Sequence, residues 1–244
     1  MGAGIVSDRW SLFMAVDGHS ACCGPESEVL LSVDLLMQAI FRMGRYGCPE
    51  HPRQLFVLQC GDGFLIASEL HEQSLERCAC IAVALIRHMA AQGRWIRGAI
   101  SEGQLVDQQD AEPPEMRASL VEDHTYSLHM GLINASPVTG TALIRPLIID
   151  RTAPPGPILW LRQSRTSRLG PSFTVRSVET EPGLAAIDWI HLNSPLLDKL
   201  SGDAGLQQST AEELERKLDA FCTASPLPEA WITSVRSLLR IPAH

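Results

Sequence analysis

The chain has 244 residues, 45% of them hydrophobic, which suffices for a sizeable core in one domain with appendages or in two small domains. A formal charge of −8 argues against broad nucleic-acid or anionic-membrane binding, because both need a basic surface. No positively charged segment leads an apolar core at the start and no later stretch is apolar enough to span a membrane, so the expectation is a cytoplasmic protein.

In chain order, Ser11 to Val16 is an apolar run that stops at Asp17-Gly18-His19-Ser20 and reads as a buried strand with Asp17 at its end. Gly24-Pro25-Glu26 opens a helix, and Val29, Leu30, Val33, Leu36, Met37, Ile40 and Phe41 recur at helical spacing to about Met43. The start of that helix either helps hold phosphates or simply covers a sheet. Gly44 to Arg53, with Tyr46 in it, is a turn-rich connector. Phe56 to Ser68 then places Gly61-Asp62-Gly63 between two strand-forming runs, the signature of a hairpin with Asp62 displayed at its tip.

A second helix is expected from about Ser74 to Gln92, stopped by Gly93, and a strand from Trp95 to Ser101, ended by Glu102-Gly103. Strand, helix, hairpin, helix, strand is a ferredoxin-like α/β (α+β) order. Asp107 to His129 is polar, contains Pro113-Pro114 and reads as a loop or projecting arm. Gly140 to Asp150 returns to a helical pattern that Pro146 should bend or shorten. After Pro154-Pro155-Gly156-Pro157 come strands at Ile158 to Leu161, within Ser172 to Val178 and within Ile187 to Leu192. Helices from Thr210 to about Phe221 and from Pro228 to Leu239 close the chain.

Asp62 alone reads as a turn-former. Paired with Asp17 at a neighbouring strand end, it makes a hard-oxygen site suited to Mg²⁺ or Mn²⁺, with nucleotide phosphates supplying the remaining ligands. His19 follows Asp17 closely, but a single histidine is more often structural. The seven cysteines form no paired C-x-x-C units, and Cys78-x-Cys80 points its two thiols to different helix faces, so neither suggests zinc. Arg162, Arg165 and Arg168 are either a solvated surface or a phosphate or partner contact.

With both aspartates placed, the sequence from about Ser11 to Leu161 resembles the class III nucleotidyl cyclase catalytic domain. Phe13 to Asp17 matches the family's apolar strand ending in a metal-binding Asp, and Cys60-Gly61-Asp62 matches its Gly-Asp hairpin. Arg97-Gly98-Ala99-Ile100-Ser101-Glu102-Gly103 approximates its Arg-x-Gly-Ile-His-x-Gly strand, and Gly140 to Leu161 its Gly-led helix, Pro-Gly turn and strand.

The resemblance implies a cyclase-homology domain over residues 1–178, with a mixed or antiparallel sheet covered by helices, and a C-terminal extension over 179–244, helical from about 210. It further implies two Mg²⁺ or Mn²⁺ ions held by Asp17 and Asp62, with the Gly18 carbonyl as a further ligand and Gly61 beside the substrate. Arg97 or Arg145 would neutralise phosphate charge. Sites in that family form between two domains, so a head-to-tail homodimer is expected.

The sequence also departs from the pattern. With Gly140 aligned to the Gly of the family's transition-state helix, the Asn and Arg positions become Ile144 and Ile148, leaving Arg145 or Thr141 as substitutes if the helix is rotated. Leu58 stands where purine-specific members carry a base-reading Lys, and the companion reader falls near Pro137. Altered readers on a short chain are similar to the bacterial cyclases of Pycsar anti-phage systems. UTP or CTP would then be the substrate, cyclised to its 3′,5′-monophosphate, with Tyr46 either a base contact or a packed loop residue. A catalytically silent nucleotide- or partner-binding module and a purine cyclase are the alternatives.

Overall fold

The structure, a computed structural model, describes residues 5–17, 26–47, 55–68, 75–107, 114–122, 125–128, 130, 132–134, 138–178 and 181–239. Strand β1 (Ile5–Val16) is an interior strand of the main sheet. It pairs antiparallel with β3 (Gly63–Ser68) on one side and β4 (Ile96–Asp107) on the other. The edge beyond β3 is β2 (Leu55–Cys60), the other arm of the Gly-Asp-Gly hairpin. Beyond β4 lie β9 (Leu159–Arg162), parallel to it, then β11 (Leu184–Ile187) and β10 (Val175–Ser177), while β8 (Val138–Thr139) adds to the far end of β4. The sheet is thus mixed and mostly antiparallel, as the sequence led us to expect, and through β11 it continues past residue 178.

Alternation along β1 divides the core. Trp10, Leu12 and Met14 face one layer, built on α1 (Glu26–Arg42) and α2 (Glu76–Ala91). Phe13 and Ala15 face the other, where Leu143 and Leu147 of α4 (Thr141–Thr152) close over Leu65. Helix α2 is the hub of the first layer and is buried along most of its length, since small residues at Ala79, Ala82, Val83 and Ala90 let neighbours approach on several sides. Arg87 on this helix donates to the carbonyls of Trp189, Ile190 and Leu192, tying the segment after β11 to the core.

Four features differ from the sequence reading. Helix α1 runs on through a π-helical turn at Met43–Gly47, so Tyr46 is helical and not in an open connector. Strand β4 passes through Glu102 and Gly103 to Asp107. The polar segment after it carries a short helix α3 (Pro114–Ala118) and a separate three-stranded antiparallel sheet of β5 (Leu120–Glu122), β6 (Thr125–Ser127) and β7 (Leu132–Asn134). Finally, α5 (Pro195–Asp203), whose apolar Leu197 and Leu200 are buried, precedes the two expected helices α6 (Ala211–Ala224) and α7 (Glu229–Leu239). Pro146 lies inside α4 without ending it and is buried.

Candidate functional site

The register of β1 with β3 pairs Ala15 with Gly63, so the residue after β1 and the tip of the hairpin come to the same end of the sheet. Val16 donates its amide to the Asp62 carbonyl at 3.3 Å, and the Asp17 amide donates to the Trp95 carbonyl at 2.8 Å. The hairpin turns on Gly61, at φ +64°, where an added Cβ would meet nothing; the requirement there is backbone conformation, not space. Asp62 is half-buried at this tip. Asp17 and Asp62 are therefore held at adjacent strand ends.

The Asp17 carboxylate is far from free. Its side chain is only 3% exposed, and Oδ1 lies 3.5 Å from Arg97 Nη1. Its Oδ2 accepts from Trp231 Nε1 at 2.7 Å, a contact delivered by α7 from the far end of the chain. Trp231 is itself fixed by an edge contact to Phe221, 5.8 Å between centroids, and Phe221 leans on Trp95 at 5.6 Å.

Arg97, opposite Ala15 on β4, is shared between two aspartates. Its Nε and Nη2 donate to Asp150 Oδ1 and Oδ2 at 2.8 and 3.1 Å, a bidentate pair that fixes the guanidinium plane. Burial works to lower the Arg97 pKa, but Asp150, and after it Asp17, outweigh burial and raise it. Neither Asp150 nor Trp231 was marked by any sequence motif. Each occupies an apolar helical stretch in which only tertiary contact reveals its role.

The remaining sequence-derived residues lie elsewhere. Thr141 Oγ1 accepts from the Gln104 amide at 3.0 Å and Arg145 Nη1 donates to the Glu102 carbonyl at 2.9 Å, so both belong with residues 102–104. Arg97 and Glu102 are five positions apart on β4, roughly 16 Å at the usual strand rise. Ile144 and Ile148 instead point outward, 54% and 49% exposed. Tyr46, 47% exposed with Arg45 5.6 Å from its ring centroid, sits at the end of α1 remote from Glu28, whose partner Arg94 lies next to Trp95. Leu58 is half-buried on β2. Gly18, His19 and Pro137 lie outside the described residues.

Among the described residues no three carboxylate, imidazole or thiol groups converge into a metal cluster. Two carboxylates at adjacent strand ends still fit a hard divalent ion that takes its other ligands from a polyphosphate. Arg97, 29% exposed at its side chain, stands beside Asp17 as a fixed positive charge.

No family model and no curated protein matches the sequence. Solved structures do match the fold. A monomeric double mutant of the guanylyl cyclase domain of the RhoGC fusion protein from the aquatic fungus Blastocladiella emersonii superposes with a TM-score of 0.51 and 10% identity, over 76% of this chain and 96% of that one. A dimeric guanylyl cyclase domain of the same fusion protein gives 0.49 and 11% over 77% and 97%. A bacterial light-regulated adenylyl cyclase gives 0.43 and 10%, over 83% of this chain and 58% of that one. The first of these likenesses reaches nearly the whole length of its partner, and on it this chain has the fold of a guanylyl cyclase domain.

Proposed function

We propose that this protein is a metal-dependent nucleotidyl cyclase that converts a nucleoside triphosphate into its 3′,5′-cyclic monophosphate and pyrophosphate. The observation that carries the reading is the placement of Asp17 and Asp62 at adjacent strand ends, with Arg97 beside Asp17, in a fold shared with a guanylyl cyclase domain. Asp17 and Asp62 would hold two divalent cations, Mg²⁺ or Mn²⁺. When bound, these supply charge neutralisation for the triphosphate and a lowered pKa for the ribose 3′-hydroxyl.

The protein's own groups position and neutralise. Asp150 holds the Arg97 guanidinium in plane through two of its donors, and the remaining N–H groups can turn to a phosphate oxygen. In the reaction the 3′-oxygen bonds to the α-phosphorus, the bond to pyrophosphate breaks, and the hydroxyl proton leaves to solvent. Leu58 on β2 stands where purine-specific members of the resembled family carry a base-reading Lys, and on that departure the proposed substrate is a pyrimidine triphosphate, UTP or CTP, with a signalling role of the anti-phage kind proposed from the resemblance alone. A homodimer would complete the site, with the outward face of α4 turned to a second copy.

One observation favours the silent-module alternative: Ile144 and Ile148 project outward from α4 and can donate no hydrogen bond to a transition state. A single experiment separates the two. Purified protein with Mn²⁺ and each of ATP, GTP, CTP and UTP should yield one cyclic product by mass, and Asp62→Asn should lower its rate by about 100-fold or more. Full activity in Asp62→Asn sinks the site, and nucleotide binding without product from any of the four selects the silent module.

A further inference from the structure

Away from Asp17, four arginines gather around Glu102: Arg165 and Arg168 at its carboxylate, Arg145 at its carbonyl and Arg162 on the wall of the adjoining cleft. The 3₁₀ helix Gln163–Arg168 follows directly from β9, so Arg162, Arg165 and Arg168 fall at a spacing of three. A 3₁₀ helix has three residues per turn, which stacks Arg165 and Arg168 in one row, with Arg162 at the strand end just before it. The row faces β4. Arg165 pairs with Glu102 Oε1, and Arg168 reaches Glu102 Oε2 at 3.3 Å while lying 4.9 Å from the Trp10 ring centroid. Arg145 closes the opposite wall from α4, anchored on the Glu102 carbonyl at 2.9 Å.

Between these walls is a cleft of about 240 Å³ lined by Ile100, Ser101, Glu102, Arg145, Arg162 and Arg165. It adjoins a wider one of about 510 Å³ that adds Asp8 and Arg168. Four guanidinium groups thus meet two carboxylates, on a molecule in which 28 acidic residues outnumber 20 basic ones. Glu102 can neutralise one positive charge, yet three arginines are tied to it by side chain or carbonyl. Planar forked donors gathered around a shallow cavity with surplus positive charge suit the oxygens of a phosphate group.

We propose that this cleft binds a phosphate-bearing anion, with Arg162, Arg165 and Arg145 as its donors and Glu102 as the internal carboxylate that orders the arginines until the anion arrives. The site is separate from the Asp17–Asp62 centre, needs no divalent cation and stands whether or not the protein is a cyclase. Its volume admits a diphosphate, so free pyrophosphate and the phosphate tail of a nucleotide share the required chemistry.

The test is thermal stabilisation in EDTA, where a metal-dependent centre is silent. Inorganic phosphate, pyrophosphate and CTP are titrated separately into the wild type, Arg162→Ala/Arg165→Ala and Asp62→Asn. Pyrophosphate should raise the melting temperature of the wild type and of Asp62→Asn, and should bind the double variant about tenfold more weakly or worse. Equal shifts with pyrophosphate and CTP identify the phosphate tail as sufficient, and a larger shift with CTP adds the nucleoside to the ligand. Arg162, exposed and without an ion pair among the described residues, gives a single variant, Arg162→Ala, that keeps the test in force if the double variant does not fold. No shift in the wild type with any of the three anions overturns the proposal, as does a shift that survives in both arginine variants.

Discussion

Trp231 is 1% exposed, and its indole N–H is directed at the Asp17 carboxylate. Trp231→Phe keeps an aromatic ring in the same place and removes that donor, so urea denaturation should show a loss of about 1–3 kcal/mol, the usual cost of unpairing a buried polar group. His88, 8% exposed on α2, is a second residue whose state is set by its surroundings. Burial, and then the nearby Arg42 charge, hold its pKa below the usual value of 6.5, and its Nδ1 accepts from the Gln207 amide at 2.8 Å. The folded state therefore prefers the neutral ring, the unfolded chain binds the extra proton, and this contribution to stability is full above the unfolded pKa and lost as pH falls below it. Melting curves from about pH 7.5 to about pH 5.5 should show a steeper decline for the wild type than for His88→Gln. Neither feature could be read from sequence. The Gly-Asp-Gly tip could, because turn chemistry is local, whereas the partners of Asp17 and His88 arrive from 214 and 119 residues away.

Strands and helices followed their periodicity where the signal was local, as in β1, α2 and α7. Strand β4 shows why a local signal misleads. Gly103 reads as a strand terminator, but in the fold it is the point on β4 against which the start of α4 packs, and an added Cβ would lie 2.5 Å from the Ala142 backbone nitrogen. The glycine marks close approach of another element, not the end of its own. Gly103→Ala should displace the start of α4, break the Thr141 contact to Gln104 and destabilise the protein by about 1–3 kcal/mol, again measured by denaturant. Helix α5 was legible in principle, since Pro195 stands at its first position after Ser194 and the buried leucines are three apart. The small sheet of β5, β6 and β7 was not, because its strands are three residues each and carry no sustained alternation.

For the whole molecule, we propose that the cyclase activity belongs to a pair of chains. Ile144 and Ile148 on α4 present an apolar surface that a second copy would cover, so specific activity should fall on dilution, in step with dissociation followed by light scattering. Activity independent of concentration, with a monomer in solution, would place the whole site within one chain. The contact between Asp17 and Trp231 has a consequence for biosynthesis. Asp17 is made early and Trp231 late, so a nascent chain can pair β1 with β3 and β4, and can bring Arg97 beside Asp17, long before the indole exists. The indole hydrogen bond to this carboxylate is supplied by α7, which makes the order of synthesis a delay built into the site: a translation product lacking this helix has both aspartates, and Arg97 beside the first, without the Trp231 donor.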